Sequence, residues 1–281
     1  MSKPHIELKG ITKRFGDVVA NRAIDLAIRK GEIHTLLGEN GSGKTTLMNI
    51  LTGVYQQDEG SIYVGGEKVF FHSPADSLRA GLGMIHQHVK LVEPLTVEEN
   101  IAASVDRSVF VRRKKMRAKI RAIAGMYGFS VDPAKMVYQL SVGEKQAVEI
   151  LKAFYRGASV LILDEPTSVL TPQESQALFE TLIKMKNEGC AIVLITHKMS
   201  EVFEASDRVT VLRRGEAVFS ALTAETTRQE LTEKMVGRAV SMDIPRSMKS
   251  ALGGDALRVR GLTVENKAGK RLLDEVTLTV G

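Results

Sequence analysis

Gly38-Glu39-Asn40-Gly41-Ser42-Gly43-Lys44-Thr45-Thr46 decides the reading of this chain. The stretch follows the apolar run Ile33-His34-Thr35-Leu36-Leu37 and precedes a helical pattern from Leu47 to Leu51, so the order is strand, glycine loop, helix. In such a place a polyphosphate is held by backbone N–H groups that curl round it, by the positive end of the following helix and by a lysine at the loop's end. Glycine lets the backbone come that close. With the spacing Gly38-x4-Gly43-Lys44-Thr45, Lys44 is placed to reach β- and γ-phosphates and the Thr45 hydroxyl to take a Mg²⁺ position.

Working outward, the upstream segments Ile6-Glu7-Leu8 and Ile24-Asp25-Leu26-Ala27-Ile28 alternate like half-buried strands, punctuated by Gly10, Gly16 and Gly31, and predict an antiparallel β layer. Phe15 sits at its edge, as a core ring or as a platform for a flat base. Downstream, Ser61–Val64 and Lys68–Phe71 read as short strands, Ser73-Pro74 opens a helix that Gly81 closes, and Gly83–His86 is a strand running into Gln87. Residues 88 to 157 then read as a mainly helical insertion, with capping boxes at Thr96-Val97-Glu98-Glu99 and Ser141-Val142-Gly143-Glu144 and a further helix start at Asp132-Pro133. Val160-Leu161-Ile162-Leu163-Asp164-Glu165 is a buried strand ending in two carboxylates. Thr171-Pro172-Gln173-Glu174 caps the next helix, Gly189 ends it, and the strand Ala191 to Ile195 delivers His197 just past its end. In parallel sheets ligands sit beyond the carboxyl ends of the strands, and three strand ends here carry a phosphate loop, an acidic pair and a histidine.

Composition bounds the class. At 281 residues with 43% hydrophobic and 26% charged residues, the chain has the make-up of a globular protein. No apolar run approaches membrane-spanning length, and Met-Ser-Lys-Pro-His lacks the apolar core of a signal peptide, so a cytoplasmic location is expected. Cys190 alone excludes an intrachain disulfide and reads as a packed strand thiol. The net charge of +6 is local: Arg112, Arg113, Lys114, Lys115, Arg117, Lys119 and Arg121 account for it, since the other 32 basic residues face 33 acidic ones. That stretch reads as a solvated helix face or a contact to anionic lipid head groups, with RNA third.

Taken together, these residues resemble the nucleotide-binding subunits of ATP-binding cassette (ABC) transporters, over residues 5 to about 237 and with six motifs in the family's order. The resemblance implies an α/β P-loop NTPase cassette: a RecA-like parallel-sheet core, an antiparallel β subdomain and the helical insertion. It assigns adenine stacking to Phe15, ATP phosphates to Gly38, Glu39, Asn40, Gly41, Ser42, Gly43, Lys44, Thr45 and Thr46, and Mg²⁺ to Thr45, Gln87 and Asp164. Glu165 takes the place of the general base, His197 that of the switch histidine, and Gln87 that of the glutamine that senses Mg²⁺ and the membrane subunit in the family. Leu140-Ser141-Val142-Gly143-Glu144 matches the signature motif, whose Ser141, Gly143 and Glu144 would face the ATP of a partner cassette. The family pattern is Leu-Ser-Gly-Gly-Gln there and Asp where this chain has Thr171. These departures are similar to importers of nucleosides or simple sugars whose ATPase carries two cassettes. They imply permease subunits, a second cassette, an extracytoplasmic substrate-binding protein, a peripheral place on the cytoplasmic side of the inner membrane and no nucleic acid. The rival is a soluble cassette ATPase acting on ribosomes or nucleic acid.

From Arg238 to Asp255 periodicity fades and Pro245, Gly253 and Gly254 suggest a linker. Leu257–Thr263 then mirrors Ile6–Thr12, and Val276–Val280 mirrors Ile24–Ile28 after one extra residue. Residues 256–281 therefore read as the opening strands of a second, incomplete cassette, and the 281 residues as the front part of a two-cassette protein that alone binds ATP and hydrolyses it poorly.

Overall fold

The continuous Val/Ile/Leu runs become the centre of the molecule because each is covered on both faces. The computed structural model describes residues 4–87, 89–105, 113–238, 256–265 and 271–280. The chain divides into two units, 1–240 and 241–281. In the first, a six-stranded sheet runs in the order β10(Glu216–Leu222), β9(Arg208–Arg213), β3(Ile33–Leu37), β8(Ala191–Thr196), β7(Val160–Asp164), β6(Leu82–Ile85), parallel except for β10. Along β7, Val160 and Ile162 face one cluster and Leu161 and Leu163 the other, and β8 does the same with Val193 and Ile195 against Ile192 and Leu194. A strand buried on both faces has no polar position to spare, hence the unbroken apolar runs.

One face is covered by α1(Lys44–Leu51) and by an antiparallel sheet of order β2(Val18–Ile28), β1(Ile6–Phe15), β4(Glu59–Val64), β5(Glu67–Val69). The expected β layer is thus completed by strands from beyond the phosphate loop. The short α2(Pro74–Arg79) leads into β6, and Ser73 with Asp76 forms its capping box. The other face is covered by α5(Val142–Tyr155) and α6(Pro172–Asn187), while α7(Met199–Ala205) and α8(Arg228–Val236) close the β9–β10 end.

The helical segment consists of α3(Val97–Ala103), α4(Arg113–Tyr127) and α5 around their own core of Val97, Ile101, Met116, Ile120, Val148 and Leu151. The helix expected at Asp132-Pro133 is instead a turn: Asp132 Oδ1 accepts from Ala134 N at 3.0 Å, and the carbonyls of Pro133 and Lys135 accept from Glu98 N and Val97 N at 2.9 and 3.0 Å. Those carbonyls satisfy the exposed donors of the first turn of α3, a task they could not perform inside a helix of their own. Of the basic stretch, Arg112 lies outside the described residues. Arg117 pairs with buried Glu98, Arg113 with Glu99, and Lys119 donates to the Tyr155 carbonyl at 2.9 Å, so part of that charge is spent on internal contacts.

The second unit contains a hairpin, β11(Leu257–Glu265) with β12(Arg271–Val280). Cys190 is buried before β8, and burial pushes its thiol up to about 12. Among the described residues no helix is long and apolar enough to cross a membrane.

Candidate functional site

β3 ends at Leu37, and the loop that follows is shaped by contacts that leave no room for side chains. A Cβ at residue 38 would lie 2.3 Å from the Leu212 carbonyl oxygen, and Gly43, at φ 100°, would place one 2.4 Å from that of Ala20. Asn21 of β2 donates to the Gly43 carbonyl at 3.1 Å, and Gly215 N donates to the Ser42 carbonyl at 3.1 Å. The loop is therefore clasped by β2 and by the β9–β10 turn. It borders a cleft of about 540 Å³, lined by Asn40, Gly41, Gly43, Lys44, Thr45 and Thr46 on one side and Gln87, Asp164 and Glu165 on the other. Lys44, 6% exposed, donates to the carbonyls of Gly38 and Glu39 at 2.8 Å each. Burial lowers its pKa, against the opposing pull of Glu165, Asp164 and Glu39.

β7 delivers the carboxylates. Thr45 Oγ1 donates to Asp164 Oδ2 at 3.2 Å, and burial pushes the Asp164 carboxyl above the usual range. A divalent cation between these two oxygens would reverse that penalty, and an oxygen-only donor set of hydroxyl, carboxylate and the amide of Gln87 suits Mg²⁺, which completes its shell with phosphate oxygens and water. Glu165 stands just past the strand in the left-handed region, φ 45°. One of its oxygens lies 2.8 Å from His197 Nδ1 and the other accepts from Gln87 Nε2 at 3.4 Å. Residues 45, 87, 164, 165 and 197, spread over four segments of sequence, thus form one connected group beside the phosphate loop. A carboxylate fixed between a histidine and a glutamine next to a phosphate cradle is an arrangement for orienting and deprotonating a water.

The remaining expected residues lie elsewhere. Phe15 is at the β1–β2 turn, 44% exposed and edge-on to Tyr55 at 5.3 Å, so it is not a core ring. Ser141 N-caps α5: Ser141 Oγ accepts from Glu144 N at 3.2 Å, and Glu144 Oε2 accepts from Ser141 N at 2.7 Å. Glu144 Oε1 takes Lys135 Nζ at 2.9 Å, so both of its oxygens are engaged within the chain. Ser141 and Gly143 line a second cavity that shares no residue with the phosphate cleft. Val18–Ala20 and the Arg214-Gly215 turn also wall the cleft, and Asn21 braces the loop through Gly43, without any marker in their own neighbourhoods of sequence.

Fold and site define a phosphate-loop nucleotide-binding cassette. The chain belongs to the ABC transporter family, whose model matches residues 22–168. Among its relatives, the nucleoside import ATP-binding protein NupA of Lactococcus lactis subsp. cremoris is 42% identical over 94% of this chain and 55% of its own length. The guanosine import ATP-binding protein NupO of Bacillus subtilis is 43% identical over 98% and 54%, and the ribose import ATP-binding protein RbsA of Yersinia pestis 40% over 92% and 52%. The chain spans about half the length of these relatives. Of solved structures, an ATP-binding cassette of an ABC transporter in its ADP conformation matches 84% of this chain and 98% of its own at TM-score 0.76 and 23% identity. cbiO1 from Clostridium perfringens, part of the ABC transporter complex cbiONQ, matches 87% and 97% at TM-score 0.73 and 25% identity.

Proposed function

We propose that this chain binds ATP with Mg²⁺, hydrolyses it, and powers import of a nucleoside or simple sugar through membrane permease subunits fed by an extracytoplasmic substrate-binding protein, from the cytoplasmic face of the membrane. The observation that carries the reading is the connected group Thr45–Asp164 and Gln87–Glu165–His197 at the strand ends beside Lys44. The relatives' names supply the import function and its solute class. In this scheme the loop N–H groups and Lys44 hold the phosphates. Thr45, Asp164 and Gln87 hold Mg²⁺, which when bound neutralises charge on the β- and γ-phosphates. Glu165 orients and deprotonates the water, and His197, fixed by Glu165, contacts the γ-phosphate. Phe15 offers its exposed ring to the adenine. Ser141 and the Gly143 N–H serve the γ-phosphate of a second cassette, in the same longer chain or by pairing, with residues 1–237 as one cassette, 238–255 as a linker and 256–281 as the opening of a repeat.

The test is single turnover in an assembled complex. Glu165→Gln is expected to bind ATP–Mg²⁺ with wild-type affinity and to hydrolyse it about 10² times more slowly or worse, the scale of a lost general base. Lys44→Ala is expected to lose binding itself. Near-normal turnover of the first variant removes Glu165 as the base, and unchanged affinity of the second removes the loop as the phosphate site.

A further inference from the structure

Glu174 is the third residue of α6, and its two oxygens serve two different helices. Oε2 accepts from Thr171 N and Thr171 Oγ1, each at 3.0 Å, which completes the capping box of α6. Oε1 turns to α5, 3.3 Å from Gly143 N and 3.4 Å from Ser141 Oγ. Gly143 N belongs to the first turn of α5 and has no partner along its own helix, because the cap oxygen of Ser141 is taken by Glu144 N. The approach depends on glycine: a Cβ at residue 143 would lie 2.9 Å from Glu174 Oε1. Hydrogen bonds from Thr171 first, then from Gly143 and Ser141, hold the Glu174 carboxyl below the usual range, so the group on these donors is an anion.

Those two α5 donors are the ones that the function proposed above assigns to a partner's γ-phosphate. A carboxylate and a phosphate cannot occupy them together, because both are negative and the donors number two. We propose that Glu174 is a positioning residue that holds the first turn of α5 in the unpaired cassette and must withdraw before the γ-phosphate of a second cassette can reach Ser141 and Gly143. Withdrawal leaves α6 capped, since the Thr171 bonds use the other oxygen. Beside Glu174 a cavity of about 280 Å³, bounded by Phe129, Gln146, Ala147, Ala177 and Thr181, gives the carboxylate room to turn. The ease with which two cassettes close on ATP is then set in part by this one charge, and the cap of α6, which follows the Glu165 loop, is tied to the helix that meets the partner's nucleotide.

This inference rests on the shared-site reading, and its test separates the two. Pairing of the 281-residue chain, made hydrolysis-deficient by Glu165→Gln, is followed by sedimentation velocity against ATP–Mg²⁺. Glu174→Gln keeps size and a capping oxygen but no charge, and is expected to lower the ATP concentration at half-pairing about 2- to 5-fold per site, the range of one charge at a helix N-terminus. Thr171→Ala removes the hydroxyl's bonds to Glu174 Oε2 and Glu174 N and leaves the carboxylate on Gly143, so it is expected to leave the midpoint in place. A midpoint that is unchanged or raised in Glu174→Gln, or one lowered equally by Thr171→Ala, overturns the proposal. Independently, amide exchange of Gly143 in the nucleotide-free chain is expected to speed up about 5-fold in Glu174→Ala, as for one lost hydrogen bond; unchanged exchange overturns the contact. Absence of pairing in every variant overturns the shared-site reading, and the displacement with it, while the exchange result still decides whether Glu174 holds α5.

Discussion

His34 lies on β3, four residues ahead of the phosphate loop, and is enclosed on all sides. Its Nε2 is 2.8 Å from Thr210 Oγ1, which is in turn 2.9 Å from Ser220 Oγ. Burial first, and then the charge of Arg208, drive its pKa down from 6.5 to about 3. The ring is therefore neutral in the folded chain and protonates near pH 6.5 only in the unfolded one. Between those values the unfolded state binds more protons, so stability falls as pH falls. With these constants the histidine accounts for about 2 kcal/mol of lost stability between pH 7 and pH 5. Urea unfolding of wild type and His34→Gln at both pH values checks this: the variant is expected to lose about 2 kcal/mol less, and equal losses would mean that the ring titrates normally. The sequence treats His34 as one letter of an apolar run, and its burial is set by β9, almost 180 residues away. Asn21 carries no local signal for the same reason, since its bond to Gly43 joins β2 to the phosphate loop, which no local pattern links. Lys44, Asp164 and Glu165 were legible because a glycine loop and a strand end are local signals, whereas the 2.8 Å pairing of Glu165 with His197 is a product of the sheet order.

Helix starts were the most readable elements, because a capping box spans only four residues and needs no distant partner. Thr96, Ser141 and Thr171 each cap the helix expected of them, with Glu99, Glu144 and Glu174 closing the boxes. What the pattern could not reveal is a second use of the same group, such as the reach of Glu174 to Gly143, or a carbonyl drawn away, as in the turn at Asp132-Pro133. The pairing of α3 with α4 is of this non-local kind. Glu98, 3% exposed on α3, takes both Nε and Nη2 of Arg117 on α4, the latter at 2.7 Å. The Arg117 bond holds the Glu98 carboxyl below its usual range. Glu98→Ala removes two charge-assisted bonds and leaves a guanidinium that is 42% exposed and can hydrate, so the loss is expected to be modest, about 1–2 kcal/mol. Denaturant unfolding monitored on the helical segment measures it; a loss below about 0.5 kcal/mol would place the pair with ordinary surface bridges.

At the scale of the whole chain, the repeat seen in sequence extends to individual hydrogen bonds. In β1–β2, Gly10 N donates to Asp25 Oδ1 at 2.7 Å and Ala23 N to Thr12 Oγ1 at 3.0 Å; in β11–β12, Gly261 N donates to Thr277 Oγ1 at 3.1 Å and Glu275 N to Thr263 Oγ1 at 3.1 Å. Gly10 and Gly261 share φ near 60°, and Ala23 and Glu275 share the left-handed region at 45° and 49°. The hairpin geometry is thus carried by its own residues in both places. Burial is not. Ile6, Ile11 and Ile28 are fully buried, whereas their counterparts Leu257, Leu262 and Val280 are 54%, 41% and 48% exposed. An apolar hairpin face in water favours association with other apolar surfaces, and its edges add unpaired backbone groups. A chain shortened to end at Gly237 keeps every residue that lines the phosphate cleft, so it is expected to bind a fluorescent ATP analogue with an affinity within about 2-fold of the 281-residue chain, a difference of under ~0.5 kcal/mol. It is also expected to bind less of an apolar dye and to aggregate more slowly on warming. An affinity that falls tenfold on shortening would mean that residues beyond 237 contribute to the nucleotide site, and unchanged dye binding would mean that the hairpin's apolar face is covered in solution.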